Sequence, residues 1–185
     1  MAKVTVSPEK FNLVFFDAGE IAELVGSAAA RIGVDADITV DVDEASALGR
    51  ARVTSMDPVT LSVQGGAFED PKRPRHLAPH NVEDVASRLL FRVRDRLDPS
   101  FGDPPPDEEL TLQQSTAWDA YCLGRAERLG FHPAKPRRLY HFRNRHGFSD
   151  VADAAFERLW SADGLTWADL EAVCAETEAG RQAVG

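Results

Sequence analysis

The sequence predicts an α+β fold in which a small antiparallel sheet, covered by an N-terminal and a central helix, precedes a helical C-terminal half. Two observations lead to this prediction. Alternating apolar and polar residues are confined to residues 37–63, whereas apolar residues before and after them recur at helical spacing. The turns between the alternating runs are too short for the crossovers that parallel strands need. With 43% hydrophobic residues in a chain of 185, a packed core is expected.

The N-terminal segment predicts a strand followed by a helix. Residues 4–6 are typical of a short opening strand. Ser7-Pro8-Glu9 supplies a capping hydroxyl, a proline for the first helical position and an acid for the positive helix end. Apolar spacing over residues 11–32 then predicts one long helix, or two, ending at Gly33. An extended segment over residues 12–16 is the alternative.

The central part predicts the sheet and a long connection. Residues 37–43, 50–54 and 59–63 alternate as half-buried strands do, and Met56-Asp57-Pro58 marks a turn between the last two. We interpret them as an antiparallel meander. Residues 64–80 hold three prolines and two glycines without a period, so we expect a structureless loop there.

The rest of the chain is predicted to be helical. Asn81 is the expected cap of a central amphipathic helix that ends at Leu97. Four prolines then interrupt the chain before further helices over residues 112–129, over residues 137–145, and after the capping residues Ser149 and Thr166. We therefore predict one compact domain with four parts. They are a sheet-bearing half (residues 1–98), a proline-rich link (99–110), a helical half (111–178) and a frayed tail (179–185).

Composition limits the function classes. The formal charge of −9 argues against a nucleic-acid coat or a binder of anionic membranes, because such proteins are normally basic. Two cysteines outside any paired motif suit a reducing compartment. The sequence shows neither a targeting segment nor an apolar stretch of membrane-spanning length. These features predict a cytoplasmic protein, and no cofactor or metal motif is found.

Two basic segments interrupt the acidic chain. Residues 132–146 hold five Lys or Arg, three His and two aromatic residues but no acid, and a second cluster occupies residues 72–76. Like charges repel, so an anionic ligand would stabilise either segment. The alternative is neutralisation by the protein's own surplus carboxylates. The predicted ligand- or partner-binding residues are Lys72, Arg73, Arg75, Lys135, Arg137, Arg138, Tyr140, Arg143 and Arg145.

Three functional hypotheses follow. The first is a non-catalytic binding or regulatory module whose basic patch takes an acidic protein or a phosphorylated ligand. The second is an enzyme whose site assembles from dispersed residues, with His132, His141, His146 and Tyr140 beside an acid as the candidates. The third is a homo-oligomer that sets its acidic regions against its basic ones.

Metal-dependent catalysis lacks its motif. His76 and His80 have the i, i+4 spacing of a zinc peptidase helix, but prolines surround them and the glutamate is absent. The order of helix, strands, hairpin, loop and amphipathic helix is similar to small zincin-type metallopeptidases, in which that last helix carries the metal motif. Residues 81–97 contain no histidine. The resemblance therefore implies a degenerate zincin-like fold without its metal motif, a variant of the second hypothesis.

Overall fold

The computed structural model describes residues 2–184 and confirms the α+β class, with an N-terminal helix, a sheet and a helical C-terminal half in the predicted order. The first part contains β1 (Val4–Ser7), α1 (Ala18–Ile32), β2 (Ile38–Asp43), β3 (Ala51–Met56), β4 (Val59–Gln64), β5 (Glu69–Asp70), β6 (Arg73–Leu77) and α2 (Pro79–Leu97). The second contains α3 (Leu112–Arg128), α4 (Lys135–His146), α5 (Asp150–Ser161) and α6 (Trp167–Val184).

Contacts divide the chain after Arg94 into two compact units. We call them the sheet unit, up to Arg94, and the helical unit, from Asp95 onward. The sequence placed its boundary later, at residues 99–110. Arg96 holds that proline-rich stretch against the end of α2, because its guanidinium donates to the Pro105 carbonyl at 3.0 Å and to Asp107 at 2.7 Å. Within residues 2–184, no helix combines the length and the apolar character needed to cross a membrane.

The main sheet is mixed, with the strand order β1-β2-β4-β3. The pairs β1–β2 and β2–β4 are parallel, and only β3–β4 is antiparallel. The predicted antiparallel meander is therefore wrong for β2 and β4. Helix α1 carries the chain back between β1 and β2, and β3 does the same between β2 and β4. An antiparallel edge strand can connect two parallel strands, so short turns do not exclude a parallel pair.

One face of this sheet is apolar and the other is polar. Val40, Leu61 and Val53 are buried on the inner face. Helix α1 packs against β1 and buries Ile21 and Val25. The outer face carries the polar members of the alternating strands, as period-two patterning requires.

Helix α1 begins later than the sequence predicts. Its cap is Asp17, whose carboxylate accepts from the Glu20 backbone N–H at 2.8 Å. The predicted start at Ser7-Pro8-Glu9 is wrong, and the extended alternative for residues 12–16 applies at Phe15 alone, since residues 12–14 are bends. There the Phe15 N–H donates to the Arg75 carbonyl at 2.8 Å and forms a bridge towards β6. This long-range pairing, which local spacing does not show, overrides the helical pattern.

The predicted structureless loop over residues 64–80 is also wrong. A short 3₁₀ turn at Gly65–Ala67 leads into the β5–β6 hairpin, and α2 already begins at Pro79. Asn81 lies inside α2 rather than capping it. Its side-chain amide donates to the Glu69 carbonyl at 2.7 Å and so ties the helix to the hairpin.

Helix α3 is the centre of the helical unit and packs against α4, α5 and α6. It starts with a capping box between Thr111 and Gln114. At Gly124 a Cβ atom would lie 1.9 Å from the Trp160 carbonyl oxygen, so only glycine allows α5 to approach this closely. Ser149 caps α5, as predicted. Helix α6 continues to Val184 and so includes most of the segment predicted to fray.

A buried ion pair joins the last turn of α2 to α3. Asp95 is 5% exposed and accepts two hydrogen bonds from the Arg125 guanidinium, both at 2.8 Å. It also accepts one from the Trp118 indole at 2.8 Å. Burial, the largest single influence, lowers the pKa of Arg125, but the hydrogen bonds to Asp95 together with the charge interactions with Cys122, Asp95 and Tyr121 outweigh it and hold that pKa above its ordinary value. The Arg125 guanidinium also lies 3.6 Å from the Tyr121 ring centroid.

We expect Asp95→Ala to lower the free energy of unfolding of the helical unit by about 3–5 kcal/mol, because it leaves the Arg125 charge buried without a counterion. The three tryptophans of the chain lie at positions 118, 160 and 167, all in the helical unit. Urea unfolding followed by tryptophan fluorescence therefore reports this unit.

Asp103→Ala is the matched control, because Asp103 is exposed. Its effect should stay within about 0.5 kcal/mol. If the two variants unfolded at the same urea concentration, the structural role assigned to Asp95 would be refuted.

Candidate functional site

The main candidate site is the solvent-facing side of α4. This helix buries Phe142 and His146 on its inner side. Arg137, His141 and Arg145 follow one another at i, i+4 and i+8 on the outer side, and all three are exposed. At 1.5 Å per residue the row extends over about 12 Å. We call these three residues the basic face.

Arg143 and Lys135, two cations of this segment, are neutralised within the unit. Arg143 forms a bidentate ion pair with Asp153 of α5. Its Nε donates to Oδ1 at 2.8 Å and its Nη2 donates to Oδ2 at 2.7 Å. The pair raises the pKa of Arg143 and lowers the pKa of Asp153. Lys135 pairs with Glu157 of α5 at 2.9 Å. These two predicted binding residues are therefore neutralised by the protein's own carboxylates, which was the alternative prediction.

The basic face keeps its charge. In the part of the chain that the structure describes, neither Arg137 nor Arg145 has a carboxylate within 4.0 Å. The pKa of His141 is lowered, first by partial burial and then by the positive charges of Arg138 and Arg137, with a further contribution from Arg145. Arg138 is half-buried. Asp119 acts in the opposite direction and raises this pKa, so the lowering is the net effect of burial and the arginine charges at one imidazole.

An aromatic pair borders the basic face. Tyr140 is 56% exposed and Phe148, just after α4, is 66% exposed. Their ring centroids lie 6.2 Å apart in an edge-to-face arrangement. Aromatic residues and arginine are enriched in protein–protein interfaces. Both occur side by side on this surface.

The second basic segment lies in the sheet unit. Lys72, Arg73 and Arg75 are exposed on and around the β5–β6 hairpin. Arg75 has a φ of 67°, a left-handed conformation that a non-glycine residue adopts only under constraint. Its guanidinium lies 5.8 Å from the Phe15 ring centroid, and that ring stacks on His76 at 4.8 Å. The predicted binding residues are thus divided between the two units.

His146, a candidate of the enzyme hypothesis, is a core residue. It is 1% exposed, and its Nδ1 lies 2.7 Å from the Thr177 hydroxyl. Its Nε2 lies 3.0 Å from the Gln113 carbonyl and 3.1 Å from the Thr116 hydroxyl. Because that carbonyl only accepts, Nε2 carries the proton, and Nδ1 shares the single Thr177 hydroxyl proton with the Cys174 carbonyl, which lies 3.1 Å from the same oxygen. Burial lowers the pKa of His146 to about 4, so the ring is neutral at pH 7.

The two cysteines lie in different environments. Cys122 is buried and its sulfur accepts from the Arg125 guanidinium at 3.7 Å, whereas Cys174 is half-buried; neither forms a disulfide. Burial raises the pKa of Cys174 to about 11, so the reactive thiolate is scarce at neutral pH. Within residues 2–184, no three His, Cys, Asp or Glu side chains gather in a way that could hold a metal ion.

Sequence reasoning missed two features of the surface. Phe148 lies two residues beyond the basic segment, and extending that segment past Gly147 would have included it. The division of the arginines into paired and unpaired ones depends on which way each points from α4 and on the carboxylates of α5. Only the first feature had a signal in the sequence.

Comparison with known protein families, curated proteins and solved structures gives no match for this chain. The similarity to zincin-type metallopeptidases therefore rests on the order of elements alone. The geometry described above carries the functional argument.

The buried His146 predicts a pH dependence of stability. Its pKa of about 4 in the folded protein lies below the ordinary value of 6.5. The unfolded chain therefore binds more protons between these values, and stability is lost as the pH falls through this window. From pH 7 to pH 5 the helical unit should lose about 2 kcal/mol through this residue.

The measurement is urea unfolding by tryptophan fluorescence at the two pH values. His146→Gln should remove that part of the loss, so that its free energy of unfolding depends less steeply on pH. His132→Gln removes an exposed imidazole and should retain the full slope. Equal slopes in His146→Gln and the unaltered protein would contradict the assignment.

Proposed function

We propose that this protein is a non-catalytic binding module that captures an acidic protein segment on the basic face of α4. One observation carries the proposal. Arg137 and Arg145 are exposed and have no ion-pair partner among residues 2–184, in a molecule whose formal charge is −9. A partner that brings carboxylates supplies the counterions that the chain itself does not place there.

The dimensions of the face favour an extended partner over a small anion. A single phosphate or carboxylate contacts only part of a row of about 12 Å. A segment with several acidic side chains can contact Arg137 and Arg145 at once. The rings of Tyr140 and Phe148 add apolar area. An aromatic or aliphatic residue of the acidic partner segment can bury this area. The overall negative charge opposes a long polyanion such as nucleic acid.

The neutralised cations contribute to this role by holding α4 in place. Arg143 and Lys135 join α4 to α5 through Asp153 and Glu157. At the other end, the Arg181 guanidinium donates to the Arg145 carbonyl at 3.0 Å. A surface that is already ordered loses less conformational entropy on binding. The arginines thus divide into those that position the helix and those that face solvent.

Lys72, Arg73 and Arg75 of the sheet unit are a second candidate contact surface. Their charges are exposed, and the Phe15 ring beside Arg75 is 65% exposed. We assign these three cations a supporting role, because the Phe15 ring beside them already stacks on His76.

The test is fluorescence anisotropy of a labelled oligoglutamate peptide with the full chain, with oligoglutamine as the uncharged counterpart. The unaltered protein should bind oligoglutamate saturably and oligoglutamine at least tenfold more weakly. Arg137→Glu combined with Arg145→Glu should weaken oligoglutamate binding at least tenfold, which corresponds to about 1.4 kcal/mol.

Lys10→Glu combined with Arg94→Glu is the matched control, because it makes the same change of net charge at exposed positions outside α4. This control should bind like the unaltered protein. Equal weakening in both double variants would show that only net charge matters and would refute the site. Displacement of the peptide by equimolar pyrophosphate would instead favour a phosphorylated small ligand.

A further inference from the structure

The polar face of the main sheet contains a second charged site, independent of α4. A pocket of about 150 Å³ opens there between β2, β4 and β3. Acidic side chains line one side and basic side chains the other, with neutral polar groups between them: Asp41 and Asp43, Arg50 and Arg52, and Ser62 with Gln64.

Strand register fixes this order. In the parallel pair β2–β4, Asp41 lies beside Ser62, and in the antiparallel pair β3–β4, Ser62 lies beside Arg52. Residues paired across strands share a face, so the three side chains form one row. With strands about 4.8 Å apart, Asp41 and Arg52 are separated by about 9.6 Å between backbones.

The opposite charges in the pocket are not paired with each other. Within residues 2–184, no carboxylate–guanidinium contact shorter than 4.0 Å involves Asp41, Asp43, Arg50 or Arg52. Among the described residues, the Asp43 carboxylate accepts only from the Ala45 backbone N–H, at 3.2 Å. The pocket therefore presents a negative and a positive wall, each without a counterion from residues 2–184.

We propose that this pocket binds a free α-amino acid in its zwitterionic form. Its ammonium group faces Asp41 and Asp43, and its carboxylate faces Arg52 and Arg50. An α-amino acid separates the two charged groups by about 3 Å, and a charge-assisted hydrogen bond at each end adds about 2.8 Å. The sum of about 9 Å is similar to the separation of about 9.6 Å between the β2 and β3 backbones that carry the two walls.

Size and charge both select this ligand class. A pocket of about 150 Å³ has the volume of roughly five water molecules, enough for a small amino acid. A metal cation would be repelled by Arg50 and Arg52, and a phosphate by Asp41 and Asp43. A zwitterion satisfies both walls at once, so specificity comes from repulsion of simple ions as well as from attraction.

This site lies wholly in the sheet unit and shares no residue with the basic face. Its test is an NMR titration of the full, ¹⁵N-labelled chain with each standard free amino acid, at concentrations up to about 10 mM. At least one small amino acid should shift the amide signals of Asp41, Arg52 and Ser62 saturably. Its N-acetyl and its carboxamide derivatives each lack one charge and should bind at least tenfold more weakly.

Two variants test the walls separately. Asp41→Asn and Arg52→Gln should each weaken amino-acid binding at least tenfold, while Glu23→Gln, an exposed position on α1, should leave it unchanged. The N-acetyl and carboxamide derivatives are compared with the free amino acid on the unaltered protein. This comparison therefore remains valid even if a variant folds poorly. Absence of saturable shifts with every amino acid, or equal binding of the blocked derivatives, would overturn the proposal.

Discussion

The helical unit depends on the ion pair between Asp95 and Arg125. Asp95 is the carboxylate that the buried Arg125 guanidinium and the Trp118 indole share, and both partners belong to α3. Helix α3 in turn contacts α4, α5 and α6. A buried charge of this kind is tolerated only while its partner is present, so the position of α3 relative to the end of α2 is strongly specified. Helices α4, α5 and α6 pack on α3, so its position also affects theirs.

The basic face is a consequence of that packing. Because α4 turns Phe142 and His146 inward, its remaining residues must face α5 or solvent. Arg143 is placed beside Asp153 and is neutralised there, whereas Arg137 and Arg145 are placed at the surface. One helix thus carries structural and solvent-facing arginines in a single run of sequence. In the sheet unit the same separation of roles occurs on strands, where alternation buries Val40 and Val42 and exposes Asp41 and Asp43.

Sequence patterns predicted the features that depend on local chemistry. The capping residues Ser149 and Thr166, the alternation of β2 to β4 and the apolar stripe of α2 follow from near neighbours, and their elements lie where expected. The errors arose where distant residues decide. Phe15 is extended because it bonds to Arg75, and β2 pairs in parallel with β4 because β3 serves as the return strand. The basic segment was visible as composition, but the pairing of Arg143 required the position of α5.

Our central claim is that α4 presents uncompensated positive charge to solvent, and His141 lies in the basic face as a natural probe of it. The most direct measurement is an NMR pH titration of its imidazole in the full chain. We predict a pKa below the ordinary value for histidine. We also predict that this pKa rises when Arg137 and Arg145 are replaced together by glutamine, because two nearby positive charges are removed. A pKa that stays the same after this replacement would show that the arginine charges are screened or directed elsewhere, and would contradict the account.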